Sequence, residues 1–245
     1  MIFGEPLLRH DVVGSTQDIA HDLALGGAVA GTVVTANFQT HGRGRRGHTW
    51  YAPPGANVCL TAVAPPVPGP DAWHVALVAG LAVAEGVAET AGVRTHVRFP
   101  NDVLVGGAKV AGVLVETVPE RDGRVVPLIG LGVNVNIAEF PPEVRAIATS
   151  LERVSGVRRD VVSVEQAVLR RLGLCWDEWI YGGLAATLER WKPLHDPAAR
   201  RTFVLDDTPV SCRVLDLATD GTLSVETPQN VLHRLPAAAI VLGEE

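Results

Sequence analysis

The string Gly42-Arg43-Gly44-Arg45-Arg46-Gly47 spells GxGxxG behind a strand-like run, Thr32 to Ala36, and would open a dinucleotide-binding βαβ unit if a helix followed. No helix can start there. Tyr51-Ala52-Pro53-Pro54-Gly55 interrupts the chain at once, and the apolar run beyond it, Val58 to Val63, reads as a second strand. A strand, a basic glycine loop and another strand argue against a doubly wound sheet. What remains is a loop whose backbone N–H groups and arginines can wrap an anion, with Trp50 waiting beside it.

The rest of the chain supports a mixed or antiparallel sheet flanked by helices, an α+β fold. Ser15 or Thr16 can cap a helix to about Leu25, with Ile19, Leu23 and Ala24 on one face and Gly26-Gly27 ending it. A long helix is predicted from after Asp71 to about Ala91, closed by Gly92. The period then changes to two: Val93, Thr95, Val97 and Phe99 alternate with Arg94, His96 and Arg98. Gly106-Gly107 and Asp122-Gly123 are hairpin signals, so Val103 to Val135 reads as antiparallel strands. Ser163-Val164-Glu165-Gln166 has the capping-box pattern and predicts a helix to about Tyr181, with Trp176 and Trp179 in the core. Helical pattern resumes from Leu184 to Trp191. Beyond Pro193 the composition shifts to short strand-like runs, Phe203 to Leu205, Val210 to Leu217, Thr222 to Glu226 and Val231 to Leu235. These predict a small β-barrel or sandwich and divide the chain into residues 1–193 and 194–245.

Charge and cysteine usage narrow the partners. A net charge of -6 argues against a general nucleic-acid surface, because the basic residues of the glycine loop are local. Three well-separated cysteines suggest neither a disulfide framework nor a zinc site, and the apolar run Val75 to Ala84 is cut short by Glu85. A cytoplasmic protein with no membrane partner is the expectation. Of 21 Lys and Arg residues, only Lys109 and Lys192 are lysine, so a surviving lysine marks a place where a compact ammonium is wanted. Lys109 lies among glycines, in Gly106-Gly107-Ala108-Lys109-Val110-Ala111-Gly112, just after Pro100-Asn101-Asp102; Lys192, beside Pro193, suits an ordinary surface position.

An ordered set of motifs then carries a resemblance. It comprises Ser15-Thr16, Gln39-Thr40 before the glycine loop, Trp50, Pro54-Gly55-Ala56-Asn57, Arg98-Phe99-Pro100-Asn101-Asp102, Lys109-x-x-Gly112 with Glu116, Gly130-x-Gly132-x-Asn134-x-Asn136, and Ala148-Thr149-Ser150-Leu151. In this order the chain resembles biotin–protein ligases, also called biotin–acetyl-CoA-carboxylase ligases. The resemblance implies a class II synthetase-like catalytic fold with a small SH3-like C-terminal barrel. It also implies ATP and biotin as substrates, Mg²⁺ on the triphosphate, and a biotin carboxyl carrier protein as acceptor. Lys109 and Arg45 are the implied catalytic residues. Ser15, Thr16, Gln39, Gly42, Arg43, Arg45, Lys109, Gly112, Gly130 and Gly132 are expected around biotin, and Arg43, Arg45, Arg46, His48, Trp50, Arg98, Asn101, Asp102, Lys109 and Asn134 around ATP. Ser15 and Thr16 could equally cap the helix, and Trp50 could be core.

The chain departs from the family where Arg98-Phe99 replaces Lys-Trp, His48 a common arginine, Gln17 the usual asparagine and Ala52 a common serine. A lipoate–protein ligase, which also makes an acyl-adenylate, should lack the GRGRRG loop. A biotin-sensing repressor is expected to need a helix-turn-helix domain ahead of Ser15-Thr16, so no DNA partner is expected, nor is a non-catalytic biotin-sensing protein favoured by the charges around Lys109. A monomer and a homodimer both remain open.

Overall fold

The computed structural model describes residues 1–198 and 200–241, and only the backbone of Arg46, Ala239 and Val241. The chain opens with β1 (Leu7–Val13), α1 (Thr16–Leu25), β2 (Val33–Gln39), β3 (Asn57–Val63), the two-residue β4 (Val67–Pro68) and α2 (His74–Ala91). It continues through β5 (His96–Arg98), β6 (Asp102–Val105), β7 (Ala108–Pro119) and β8 (Arg124–Asn134) to α3 (Leu151–Ser155) and the long α4 (Val161–Trp191). The last elements are β9 (Arg200–Leu205), β10 (Thr208–Leu217), β11 (Thr222–Glu226), β12 (Leu232–Pro236) and α5 (Ala237–Val241).

The large sheet runs β1-β2-β3-β8-β7-β6-β5, with β4 also on β8. Only the β1–β2 pair is parallel, so the sheet is mixed, as predicted. Its two faces carry different helices. Leu60, Ala62, Ile129, Leu131 and Val133 point into the main core with α2 and α4, while Val63 and Leu128 point the other way and meet Ala20 of α1. Helix α2 is long and apolar enough to cross a membrane by composition, but it is a core helix, buried from Val75 through Ala84.

Local chemistry explains most boundaries. Ser15 caps α1 by accepting from the Gln17 N–H, and Gly92 closes α2 in the left-handed region that lacks a Cβ penalty. One boundary differs from the sequence reading. α4 starts two residues before Ser163 because Asp160 is its cap, accepting from the Ser163 N–H at 3.0 Å and from its hydroxyl at 2.7 Å. The gap read between the two helical stretches is present: Gly183, at φ 69°, breaks α4 between Tyr181 and Leu184. Trp176 and Trp179 are core residues, edge-on to each other at 5.2 Å.

β12-β11-β10-β9 form a four-stranded antiparallel sheet. Among the described residues no β12–β9 pairing closes it, so the expected barrel is seen as an open sheet. Its Phe203, Leu205, Cys212 and Val214 join the same apolar cluster as α2 and α4. Lys192 makes a surface ion pair with Asp216 at 2.7 Å, the ordinary role its sequence context suggested.

Candidate active site

The face of the sheet that carries α1 is nearly bare of side chains beside it. Gly130 and Gly132 alternate on β8, Gly112 pairs with Gly132 from β7, and Thr61 pairs with Gly130 from β3. Without Cβ atoms these positions form the floor of a slot between strand backbone and whatever lies above. Added Cβ atoms would strike those neighbours: at Gly132, the Trp50 ring at 2.5 Å; at Gly112, the Lys109 Cε and Nζ at 3.0 Å; at Gly130, the Gln17 Cδ at 3.2 Å.

Lys109 reaches this floor by a bulge. In a regular strand, residues three apart point to opposite faces. The register on β6 shifts between Val103, which faces Ala111, and Leu104, which faces Lys109, so one extra residue is accommodated and Lys109 joins Gly112 and Asp102 on one face. The segment Ile147 to Thr149 then clamps the Lys109 backbone, whose N–H donates to the Ile147 carbonyl and whose carbonyl accepts from Thr149, both at 2.8 Å. That clamp gives the Ala148-Thr149-Ser150-Leu151 motif a structural meaning.

Two cavities meet at Lys109. The smaller, about 50 Å³, is lined at its polar end by Ser15, Thr16, Gln17, Gln39 and Thr61, and at its floor by the three glycines. The larger, about 390 Å³, lies between the glycine loop, the Phe99–Asp102 turn, the segment carrying Phe140 and Ile147, and the C-terminal sheet. Gly44, Arg45, Trp50, Asn101 and Lys109 line both.

The polar end of the slot is tightly wired, with one exception. Thr16 donates to Gln39 Oε1 through its N–H at 2.8 Å and its hydroxyl at 3.1 Å, and shares a 2.8 Å hydrogen bond with Thr61. Ser15 is the residue of that pair that caps α1, and both border the slot. Gln17 is the exception. It is only 3 % exposed, and among the described residues neither its amide oxygen nor its nitrogen has a partner.

The glycine loop is a tight hairpin rather than an open loop. Trp50 N–H donates to the Gly42 carbonyl at 2.9 Å and Gly44 N–H to His48 at 2.7 Å, around a 3₁₀ turn at Arg45–Gly47. Arg43 borders only the smaller cavity and its guanidinium pairs with Asp18 and Glu116. Arg45 reaches across to the Ile240 carbonyl, while His48 borders the larger cavity. The Arg46 side chain lies outside the described residues. Gly42 backs Gln39: a Cβ there would come within 3.3 Å of its Nε2. The Trp50 ring lies over Gly132, with Lys109 Nζ 5.4 Å from its ring centroid.

Asp102 organises the larger cavity. It is 3 % exposed, and its Oδ1 holds Lys109 at 2.7 Å while Oδ2 holds Arg98 at 2.7 Å and Arg201 at 2.9 Å. Burial pushes its pKa up, but the charges of Lys109, Arg201 and Arg98 outweigh it and hold the carboxyl at about 2. One carboxylate against three cations leaves this wall strongly positive. Asn101 spends its amide nitrogen on the Val113 carbonyl at 2.7 Å and accepts from Arg201 at 2.9 Å. Asn134 lines neither cavity; it faces Asn57 across β3–β8 and donates to the Thr149 carbonyl at 3.0 Å.

Sequence reasoning missed Thr61, Gln17 as a pocket residue, and Arg201. Thr61 was the one detectable signal, a polar residue inside the apolar run Val58 to Val63. Among the described residues no three His, Cys, Asp or Glu side chains cluster as a metal cage, and Asp102 is taken by cations.

Comparison with known proteins gives the same reading from another side. The sequence model of the Biotin/lipoate A/B protein ligase family matches residues 10–136. The bifunctional ligase/repressor BirA of Bacillus subtilis is 33 % identical over 99 % of this chain and 75 % of its own length. A biotin–[acetyl-CoA-carboxylase] ligase of Mycobacterium tuberculosis is 36 % identical over 69 % of this chain and 64 % of its own. Among solved structures, the biotin protein ligase of Aquifex aeolicus in complex with biotin and ATP superposes with a TM-score of 0.77 at 24 % identity, covering 94 % of this chain and 95 % of that one, a likeness of fold.

Proposed function

The chain belongs to the biotin/lipoate A/B protein ligase family, and we propose that it activates biotin with ATP as biotinyl-5′-AMP and transfers the acyl group to a lysine of a biotin carboxyl carrier protein. The observation that carries this reading is the position of Lys109 in the shared wall of two cavities. One is narrow, glycine-floored and polar at its end; the other is large and cationic. Two reactants that are both anions must meet, and they meet at that wall.

The slot suits biotin's fused rings, with the ureido group at the Thr16–Gln39–Thr61 end and the carboxylate tail toward Lys109. Its present 50 Å³ holds a few water molecules, not a bicycle, so entry of the rings requires Trp50 to lift off Gly132. Lifted, the ring stands on the nucleotide side, where it can stack on adenine. ATP fills the larger cavity with its phosphates against Arg45, His48, Arg98 and Lys109. A biotin carboxylate oxygen attacks the α-phosphorus and pyrophosphate leaves; the acceptor amine then attacks the carbonyl of the mixed anhydride and AMP leaves. Lys109 and its neighbours supply fixed positive charge where negative charge accumulates. Mg²⁺ would arrive on the nucleotide phosphates, which need few protein ligands. Residues 1–193 hold both substrates in this reading, and residues 194–245 close the nucleotide side.

Incubating the protein with ATP, Mg²⁺, biotin and a carboxyl-carrier domain should raise the acceptor's mass by one biotinyl group. Unchanged mass, with no pyrophosphate released, would overturn the function. A finer test concerns Gln17. A buried primary amide with neither atom partnered costs free energy, about 1–3 kcal/mol per group, which a ureido group, donor and acceptor side by side, can recover. Gln17→Met should therefore leave the apo protein at least as heat-stable as the parent while biotin affinity falls about 5- to 30-fold, equivalent to 1–2 kcal/mol. Calorimetry showing unaltered affinity would remove Gln17 from the biotin contacts.

A further inference from the structure

Arg201 lies in β9, a strand of the C-terminal sheet, 102 residues beyond Phe99 in the chain. Its guanidinium nevertheless makes three contacts with one turn of the large sheet. Nε donates to the Phe99 carbonyl at 2.6 Å; Nη2 donates to Asn101 Oδ1 at 2.9 Å and sits 2.9 Å from Asp102 Oδ2. A carbonyl, an amide oxygen and a carboxylate are gathered by one planar fork, which an ammonium cannot imitate.

The division of labour on Asp102 gives these contacts a consequence. Arg98 and Arg201 share Oδ2, and Lys109 alone among these cations is on Oδ1. Arg98 belongs to the same hairpin as Asp102, four residues earlier, and moves with it. Arg201 comes from the other sheet. It therefore fixes the Phe99–Asp102 turn against an outside reference, and with the turn fixed the plane of the carboxylate is fixed too. Oδ1 is then aimed at one point in the wall between the cavities, and Lys109 Nζ is held there.

We propose that Arg201 is a positioning residue for Lys109: it ties the Phe99–Asp102 turn to the C-terminal sheet so that Asp102 presents the ammonium at the junction of the two cavities. The inference rests on the adenylation reading above. It makes the seating of residues 194–245 part of the chemistry rather than only a cover for the nucleotide. A misplacement of about 1 Å in such a group costs about 10²-fold in rate, and the loss falls on the chemical step because binding of either substrate does not depend on where Nζ rests to that precision.

The test uses the full chain, with pyrophosphate release under saturating biotin and variable ATP. The parent protein must release pyrophosphate; if it does not, the adenylation reading fails and Arg201 is not at issue. With an active parent, Arg201→Met should lower kcat about 10²-fold, with KM for ATP and biotin affinity within about threefold of the parent. Arg201→Lys keeps the pairing with Asp102 but drops the Phe99 and Asn101 contacts, and should lose about 10-fold in kcat. In a Lys109→Ala background, Arg201→Met should cost less than twofold more, since the residue it positions is already gone. A raised KM for ATP at unchanged kcat would overturn the proposal and make Arg201 a direct phosphate contact. Parental kcat in either single variant would also overturn it. Should Arg201→Met not fold, the Arg201→Lys result decides.

Discussion

Lys109→Ala is expected to lower the single-turnover rate of pyrophosphate release by about 10² to 10³, the effect of removing one preorganised donor worth about 2.7–4 kcal/mol in the transition state. The fold should survive, because Arg98 and Arg201 remain on Asp102 when Lys109 leaves. Lys109→Arg should be nearly as inactive. The stem of Lys109 lies directly over Gly112, with Cε 3.0 Å from where a Cβ would be, and its head sits against the Trp50 ring. A longer side chain ending in a plane cannot keep that path and place one charge between carboxylate and phosphate. Circular dichroism and a melting curve close to the parent's, together with lost pyrophosphate release, would support the assignment. A rate for Lys109→Ala within a few-fold of the parent would remove Lys109 from the chemistry.

Elements marked by a regular period, a continuous apolar run or turn glycines were legible in the sequence, and those without such a mark were not. The α1, α2 and β5–β8 region shows regular periods or paired turn glycines, and Gly106-Gly107, both at positive φ, form the turn their sequence announces. β1 gave no such signal. It is a sheet-edge strand whose residues are exposed or half-buried along its length, so no two-residue alternation marks it. The α4 start was misplaced because Ser163 satisfies the cap pattern in sequence, whereas Asp160 supplies the acceptor in space.

The candidate site divides along the same line. Glycines, Lys109 and the Pro100-Asn101-Asp102 run could be read because they sit close together in sequence and have restrictive chemistry. The bulge that brings Lys109 and Gly112 to one face could not, since it is a property of register between two strands. Arg201 left no signal at all: one arginine among many, in a strand of ordinary composition, acquires its meaning only when the C-terminal sheet packs beside β5 and β6. Trp50 shows a third case. Its place after the basic loop pointed to the nucleotide, but its ring covers the slot floor, so the same side chain borders both cavities.

Asp102→Asn is expected to produce the largest loss of stability of any single change at the site. The carboxylate is 3 % exposed and faces three cations, so its removal leaves Lys109, Arg98 and Arg201 repelling one another in a partly buried space. Breaking a buried ionic cluster by deleting one partner costs about 3–5 kcal/mol, which for a chain of this size lowers the melting temperature by roughly 10 °C. The loss has a defined pH dependence. The folded-state pKa of Asp102, about 2, lies below the ordinary value of 3.8, because the three cations outweigh the burial that raises it. A depressed carboxyl pKa means the unfolded chain takes up the proton first as pH falls. Its stabilising contribution is therefore complete above about pH 4 and is lost as pH drops through about 2, whereas asparagine does not titrate. The gap between parent and variant should be constant from pH 7 to about pH 4 and narrow below that. Melting curves of both proteins across that range are the measurement. A variant as stable as the parent at pH 7, or a gap that persists unchanged toward pH 2, would mean that the three cations are held by something other than the Asp102 charge.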